Sequence, residues 1–205
     1  MSTVSELVAG PQRPETMTPR QLDRRRRVLD AVHELLADRP LHDIQVKDIA
    51  DRAQVSLAAI YRYFASKEHL LAEALTDWVE DRGRAYDRRP PAGTVAERFA
   101  TIVRRGIRAY RRTPQYAGLF LETLASRDPH AVACMGRISE LIGGGMRSAL
   151  DELDPRVAND IRTTIGHAWV GGLFECVHGR CTFAELEQSL VATCVLLLEP
   201  LEPNR

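Results

Sequence analysis

Apolar residues recur with the period of an α-helix through most of this chain. The first predicted helix carries them at i, i+1, i+4, i+7 and i+8, on one face: Val28, Leu29, Val32, Leu35 and Leu36. Pro40 ends that helix because a proline cannot continue it. The same spacing predicts a short helix from about 46 to 53, a turn, and another helix from about 57 to 64. Ser66 then caps a longer helix that runs to about Tyr86.

Proline and glycine punctuate the second half of the chain. The segment 88–93 (RRPPAG) cannot continue a helix, and it marks the predicted boundary between two domains. Five helices are predicted after residue 94, in addition to the four before residue 87. Their start and stop signals are two capping boxes, three capping residues before a proline, and one C-terminal glycine: Thr94 with Glu97, Thr182 with Glu185, Thr113, Asp128, Asp154 and Gly179. The fold class is therefore all-α, with about nine helices.

Composition narrows the class of protein. The 205 residues contain 28 basic and 28 acidic side chains, and this neutral total does not exclude nucleic acid, because local clustering sets the field that a phosphate meets. Residues 1–19 contain glycine, prolines and few large apolar residues, and they are predicted to be a flexible tail. No apolar run reaches about 18 residues, and no signal peptide is visible, so we expect a cytoplasmic protein without membrane spans.

Candidate catalytic and metal-binding chemistry is sparse. The four cysteines lack CxxC spacing and are predicted to be reduced thiols. A zinc site built from Cys176, His178 and Cys181 is the less favoured alternative. No Ser-His-Asp arrangement, HExxH motif, nucleotide-binding loop or carboxylate pair stands out, and the six histidines are scattered. We therefore expect no cofactor, no metal and no enzymatic activity.

The segment 45–64 (QVKDIADRAQVSLAAIYRYF) has the pattern of a helix-turn-helix. Small Ala50 and Ala53 allow two short helices to cross closely. Ile60 and Phe64 anchor the second helix at i, i+4. Small residues at the start of that helix would let it enter the major groove of DNA.

Here the chain resembles the TetR family of bacterial regulators over residues 22–82. The matching residues are Ile49, Ala50, Ala53, Val55, Ser56, Ile60, Tyr61, Tyr63, Phe64, Lys67, Glu68 and Leu70. The resemblance implies a DNA-binding domain with a connecting helix over 20–86, and a ligand-binding and dimerisation domain over 94–205. Gln45, Gln54 and Ala58 depart from the family pattern, which has Thr, Gly and Gly at these positions. Gln45 can still hydrogen-bond a phosphate, and the methyl that Ala58 adds near the bases is expected to change the operator sequence rather than the fold.

The same resemblance places a set of residues at or near DNA: Arg24, Arg27, Gln45, Ser56, Ala58, Ala59, Tyr61, Arg62, Tyr63 and Lys67. Tyr63 is expected to be the more exposed of the two tyrosines and to reach a phosphate. Tyr61 either contacts a phosphate or packs within the small domain. The five arginines of Arg20 to Arg27 favour a phosphate or minor-groove contact, although such a run also occurs on ordinary solvated faces.

Two apolar stripes in the second half have two interpretations. In this family, the last two long helices usually form a four-helix dimer interface, and the alternative is plain core. The expected interface residues are Ile165, Trp169, Gly172, Leu173, Leu190, Cys194 and Leu197.

Gly143 to Gly145 are expected either to break a helix or to leave room for a bound ligand. Apolar residues that could wall such a cavity, or else fill a core, are Trp78, Phe99, Val103, Tyr110, Phe120, Leu124, Met135, Ile138, Ile142, Met146 and Trp169. Their character predicts a hydrophobic ligand, such as a lipid- or sterol-derived acid or its thioester. The motif YRYFASKEHLL also resembles actinobacterial members of the family that control sterol and lipid breakdown.

The sequence thus predicts a homodimeric regulator of transcription. Its partners would be a palindromic operator in double-stranded DNA and an apolar small-molecule effector, whose binding releases a repressor. An activating regulator and a DNA-binding protein that ignores small molecules are the alternatives. A single protected palindrome favours the regulator, whereas unspecific coating of DNA favours an architectural protein.

Overall fold

Nine α-helices, and no strands, make up the computed structural model over the residues that it describes, 11–87 and 91–201. They are α1 (Pro19–Asp38), α2 (Val46–Ala53), α3 (Leu57–Tyr63), α4 (Lys67–Asp87), α5 (Val95–Arg112), α6 (Gln115–Ala125), α7 (Pro129–Ala149), α8 (Pro155–Val177) and α9 (Phe183–Leu198). Short 3-10 helices cover Pro14–Thr16, Leu41–Asp43 and Glu199–Leu201. The prediction of an all-α fold, with four helices before residue 87 and five after 94, is confirmed.

The first three helices and the start of α4 enclose a small core of their own. Its large members are nearly inaccessible: Val28, Val32, Leu35, Ile49, Ile60 and Phe64. The helix α1 begins at a capping box between Thr18 and Gln21, one residue before the predicted start of this domain.

The predicted tail over residues 1–19 is only partly testable, because residues 1–10 lie outside the described part of the chain. For residues 11–18 the prediction is wrong. The Met17 side chain is buried, and the backbone N–H of Gln12 donates to the carbonyl of Arg62 at 3.0 Å. This segment therefore packs against the small domain.

The long helix α4 joins the two halves, and it packs mainly along α7, while α5 packs mainly on α9. Local signals set most of the helix ends. Asp128 and Asp154 cap α7 and α8 ahead of a proline, and Gly179 has a positive φ of 70° just after α8. Thr113 is an exception to its predicted capping role, because its hydroxyl donates back to the carbonyl of Ala109 in α5.

The helix α7 continues through Gly143 to Gly145 without interruption. Of the two readings of this triplet, the helix break is therefore wrong. No helix in the described residues is long and apolar enough to cross a bilayer.

Candidate DNA-binding surface and ligand cavity

The turn between α2 and α3 contains a residue with left-handed backbone. Gln54 has φ 55° and ψ 49°, and its neighbour Val55 closes the turn with an N–H···O bond to Ala50 of 3.0 Å. A non-glycine residue in this region carries a cost of about 1–2 kcal/mol. The departure from glycine at this position is thus accommodated, and α2 and α3 keep the helix, turn and helix order of the motif.

The outer side of this motif presents most of the residues that the sequence placed at DNA. Ser56 caps α3 by accepting the N–H of Ala59 at 3.2 Å. Tyr61 is 50% exposed, which leaves its hydroxyl accessible rather than packed in the core. Gln45, Ser56, Ala58, Tyr61 and Arg62 are exposed, and Arg24, Ala59 and Lys67 are partly exposed.

Tyr63 differs from the expectation. It is only 2% exposed, so the prediction that it is the more exposed tyrosine is wrong. The guanidinium of Arg62 lies over its ring, 5.0 Å from the centroid, and donates to its hydroxyl at 2.9 Å. The tyrosine therefore positions the Arg62 side chain on the surface of the domain.

Three side chains of the arginine run bond to α4 and α2. Arg25 pairs with Glu73 at 2.5 Å, and Arg26 pairs with Asp77 at 2.7 Å. Arg27 donates to the carbonyl of Ala53 at 3.2 Å, which ties α1 to the end of α2. These contacts hold the small domain together and fasten it to the connecting helix.

Glu73 is the centre of an ionic junction between α1, α4 and α7. Arg137 donates to its carboxylate at 2.6 Å from the side opposite Arg25, and His69 lies 3.4 Å away. Burial alone would raise the pKa of Glu73, but the His69 hydrogen bond and the two guanidinium charges outweigh it and hold that pKa far below its ordinary value.

His69, Glu73 and Cys134 also lie close enough together to share a cation. The two guanidinium groups already compensate the single carboxylate, and burial raises the pKa of the Cys134 thiol to about 12. The charge balance of this cluster fits an ion-pair junction rather than a metal site.

A second polar contact joins α1, α4 and α6. His33 lies 3.0 Å from the carboxylate of Asp77 through Nε2 and 2.5 Å from the hydroxyl of Tyr116 through Nδ1. Burial raises the pKa of Tyr116 to about 12, so this phenol stays protonated in its contact with the imidazole. The ring of Tyr116 stacks on Trp78 at 4.6 Å, and this contact leads directly to a cavity.

The cavity lies between α4, α5, α7 and α8 and has a volume of about 320 Å³, at the lower end of the range for small-molecule sites. Five of the predicted wall residues line it: Trp78, Tyr110, Ile142, Met146 and Trp169. Gly144 and Gly145 line it as well, which agrees with the reading in which the glycines leave room.

The other predicted wall residues do not reach this cavity. Leu124 is 44% exposed on α6, and Met135 is only partly buried on α7. The remaining four are buried in the core: Phe99, Val103, Phe120 and Ile138.

Three polar features accompany the apolar lining. The Arg82 guanidinium stacks on the Trp78 ring at 3.9 Å, and Arg105 lies on the opposite wall in α5. The indole N–H of Trp78 is buried without a hydrogen-bond partner within the described residues. A buried donor without a partner is unfavourable, so a ligand whose acceptor reached this N–H would be stabilised. Sequence reasoning selected Trp78 only for its apolar ring and did not identify the two arginines.

The expected dimer-interface residues occupy the interior of a single chain. Ile165, Trp169, Leu173, Leu190 and Cys194 are all at most 8% exposed in the single chain, so the alternative of plain core describes these five positions. The remaining two expected residues, Gly172 and Leu197, are partly buried.

Gly172 faces α9 of its own chain, where an added Cβ would collide with Leu186. The outer faces of α8 and α9 instead carry small and exposed apolar residues, among them Ala168, Gly171, Phe174, Ala192 and Leu196.

Comparison with known proteins agrees with this architecture. Residues 28–74 match the model of bacterial regulatory proteins of the tetR family, and residues 93–197 match that of the tetracyclin repressor-like C-terminal domain. The HTH-type transcriptional repressor KstR of Rhodococcus jostii is 28% identical over 182 residues, which cover 87% of this chain and 84% of that protein.

Solved structures share the fold. A TetR transcriptional regulator from Rhodococcus sp. RHA1 superposes with a TM-score of 0.76 at 24% identity, covering 89% of this chain and 100% of that one. FadR of Bacillus subtilis, in complex with stearoyl-CoA, gives 0.67 at 18% identity, with 86% and 99% covered. The matched families are families of transcriptional regulators rather than of enzymes. The chain belongs to the TetR family of bacterial regulatory proteins, which are DNA-binding regulators of transcription.

Proposed function

We propose that this protein is a dimeric repressor that leaves an inverted-repeat operator when an amphipathic anion occupies its cavity. The observation that carries the ligand class is the Trp78 indole, a buried donor without a partner on the wall of an apolar cavity that also holds Arg82 and Arg105. An apolar body with an oxygen acceptor and a negative head group matches these three features.

The reading surface supports the DNA-binding part of the proposal. Ala58 and Ala59 near the start of α3 leave its end slim enough for the major groove. Tyr61 and Lys67 lie beside it, where a hydroxyl and an ammonium group bind phosphates. A dimer contains two copies of this DNA-binding domain. With their α3 helices about 34–36 Å or somewhat more apart, they would require a palindromic site.

The homodimer in this proposal forms through the outer faces of α8 and α9. Leu196 is 75% exposed and Phe174 is 44% exposed, although both belong to long apolar helices. Small side chains exposed on the same two helices, at Ala168, Gly171 and Ala192, would let two copies approach closely. An isologous contact of these faces would place two helices from each chain side by side.

The relatives add support for repression and for the ligand class. KstR of Rhodococcus jostii carries the name of a transcriptional repressor, and FadR of Bacillus subtilis binds stearoyl-CoA, an apolar chain with an anionic head. We therefore propose long-chain carboxylates and acyl-CoA thioesters as the first effectors to test.

Contacts between the cavity and the small domain provide a physical route for release. Trp78 stacks on Tyr116, which bonds to His33 of α1, and α7 joins α1 through Arg137, Glu73 and Arg25. A ligand that displaces Trp78 or α7 would change the position of α1 and the spacing of the two DNA-binding domains of the dimer. Complete release needs about 10⁴-fold tighter ligand binding to the released form.

Two experiments test the proposal. Purified protein is used to select DNA from a random library, and the enriched sequences are expected to share one inverted repeat. Unspecific retention of all sequences would contradict a specific operator.

Ligand binding is followed by intrinsic fluorescence, because both tryptophans of the chain, Trp78 and Trp169, line the cavity. Stearoyl-CoA or stearate should change the emission, whereas coenzyme A alone should not. Trp78→Phe keeps the ring stack and removes the N–H, so it should weaken binding about tenfold, if one hydrogen bond to a charged acceptor is lost. Phe99→Leu, in the core away from the cavity, is the control and should bind like the wild type.

A further inference from the structure

The thiols of Cys176 and Cys181 lie next to each other at the turn between α8 and α9. Their sulfur atoms are 2.9 Å apart, although no regulatory role described above involves them. We propose that Cys176 and Cys181 form a redox-sensitive thiol pair, which closes to an intramolecular disulfide when a hydroperoxide oxidises it.

The local backbone holds the two residues in this arrangement. Gly179 adopts a φ of 70°, which reverses the chain after α8, and the N–H of Arg180 donates to the carbonyl of Glu175 at 2.9 Å. Thr182 then caps α9 immediately after Cys181. A disulfide has an S–S length of about 2.05 Å, so closure requires the sulfur atoms to approach by less than about 1 Å.

Access to the oxidant distinguishes this pair from the other two cysteines. Cys176 and Cys181 are partly exposed, whereas Cys134 and Cys194 are buried at 0% exposure. His178 does not turn toward the pair, since its Nδ1 lies 2.8 Å from the carbonyl of Phe174.

The reaction balances with one molecule of hydrogen peroxide and two thiols. The Cys181 sulfur attacks one peroxide oxygen, the O–O bond breaks, and the departing hydroxide takes up the thiol proton, which leaves a sulfenic acid on Cys181 and one water. The sulfur of Cys176 then attacks the sulfenic sulfur, the S–O bond breaks, and a second water leaves. Two protein thiols are oxidised by two electrons, and the peroxide is reduced to two waters.

The order of attack follows from the environment of Cys176. Burial and the adjacent Cys181 thiol raise the pKa of Cys176 to about 12, so Cys176 stays protonated at the start. Cys176 is therefore the resolving thiol of the pair.

Trypsin provides a direct readout, because it cuts at Arg162 and between Arg180 and Cys181. Residues 163–180 then carry Cys176, and residues 181–205 carry Cys181 and Cys194, with no further Lys or Arg before the last residue. A disulfide within one chain joins these two peptides until a reductant separates them. The full-length protein is treated with hydrogen peroxide, alkylated, digested and analysed by mass spectrometry without reduction.

The wild type should yield the joined peptides and an intact mass that is lower by two hydrogens. Cys194→Ser should give the same product, whereas Cys181→Ser should give no joined peptides and leave Cys176 alkylated. Circular dichroism before oxidation checks that each variant is folded. Joined peptides in Cys181→Ser, faster oxidation of Cys134 or Cys194, or two fully alkylated thiols after peroxide treatment of the folded wild type would each overturn the proposal.

Discussion

The indole of Trp169 packs against the backbone of Gly106, so closely that a Cβ at residue 106 would collide with its six-membered ring. Both residues line the cavity, one from α8 and one from α5. The absence of a side chain at Gly106 thus sets how far Trp169 reaches into α5, and it defines this wall of the cavity.

Gly106→Ala should therefore destabilise the protein. Overpacking costs about 1–3 kcal/mol, partly offset by the better helix propensity of alanine, which is worth about 1 kcal/mol. Gly118→Ala in α6 is the matched control, because no atom lies within 4 Å of its added Cβ, and it should be neutral or stabilising. Urea unfolding measures both variants. If Gly106→Ala matches Gly118→Ala in stability, the packing described for Trp169 is wrong.

Substitutions of Tyr61 and Tyr63, the two tyrosines of α3, should distinguish an effect on DNA binding from an effect on stability. Tyr61→Ala should leave the free energy of unfolding within about 0.5 kcal/mol of the wild type, since the ring is half-exposed, but should weaken binding to every DNA sequence by about tenfold. Tyr63→Ala should instead cost about 3–5 kcal/mol of stability, by analogy with other buried aromatics. Fluorescence anisotropy and urea unfolding distinguish the two outcomes, and full DNA affinity in Tyr61→Ala would reject its phosphate contact.

Dimerisation through the outer faces of α8 and α9 predicts a large effect at Leu196. Leu196→Glu should give a folded monomer that no longer binds the operator, because the exposed side chain contributes little to the fold of its own chain. Val132→Glu is the control, since Val132 is 53% exposed on α7, away from this face, and it should remain dimeric. Sedimentation velocity with circular dichroism provides the measurement, and a dimeric Leu196→Glu variant would place the interface elsewhere.

The ionic junction at Glu73 predicts a specific dependence of stability on pH. Because the pKa of Glu73 is lowered in the folded chain, its contribution is present above the ordinary carboxyl value and declines as the pH falls below it. Glu73→Gln should lower the free energy of unfolding by about 1.5–3 kcal/mol at pH 7, and this difference should shrink below about pH 4.5.

Glu68→Gln, five residues earlier on the exposed side of α4, is the control for that experiment and should show no such difference. Guanidinium unfolding at several pH values measures both variants. A Glu73→Gln deficit that stays constant down to pH 3 would contradict the charge-based account of the junction.

Local signals in the sequence were sufficient to predict the helices. The capping aspartates at 128 and 154 and the glycine at 179 act within a few residues of their own position, so their effects could be predicted. The burial of Tyr63 was also predictable, since it lies three residues after Ile60 and one before Phe64, on the same helical face. Because Tyr61 lies off that face, the same spacing identifies it as the exposed tyrosine.

Contacts between distant parts of the chain were not predictable. Glu73 meets Arg25 and Arg137, which are 48 and 64 residues away, and no local pattern connects them. An apolar stripe such as that of Leu190 shows that one helical face is covered, but not whether its own chain or a second copy covers it. The walls of the cavity depend on the same long-range packing, which is why Trp78 and Met146 line it and Phe99 does not.

Release of DNA by a ligand in the cavity is the central claim, and anisotropy of the selected operator during a stearoyl-CoA titration tests it most directly. The wild type should release the DNA as tryptophan emission reports ligand binding, and coenzyme A alone should release none. Tyr116→Phe removes the hydroxyl that contacts His33, so it should bind the ligand normally but require more of it for release. A wild-type protein that keeps its full DNA affinity while stearoyl-CoA saturates the tryptophan signal would contradict the account.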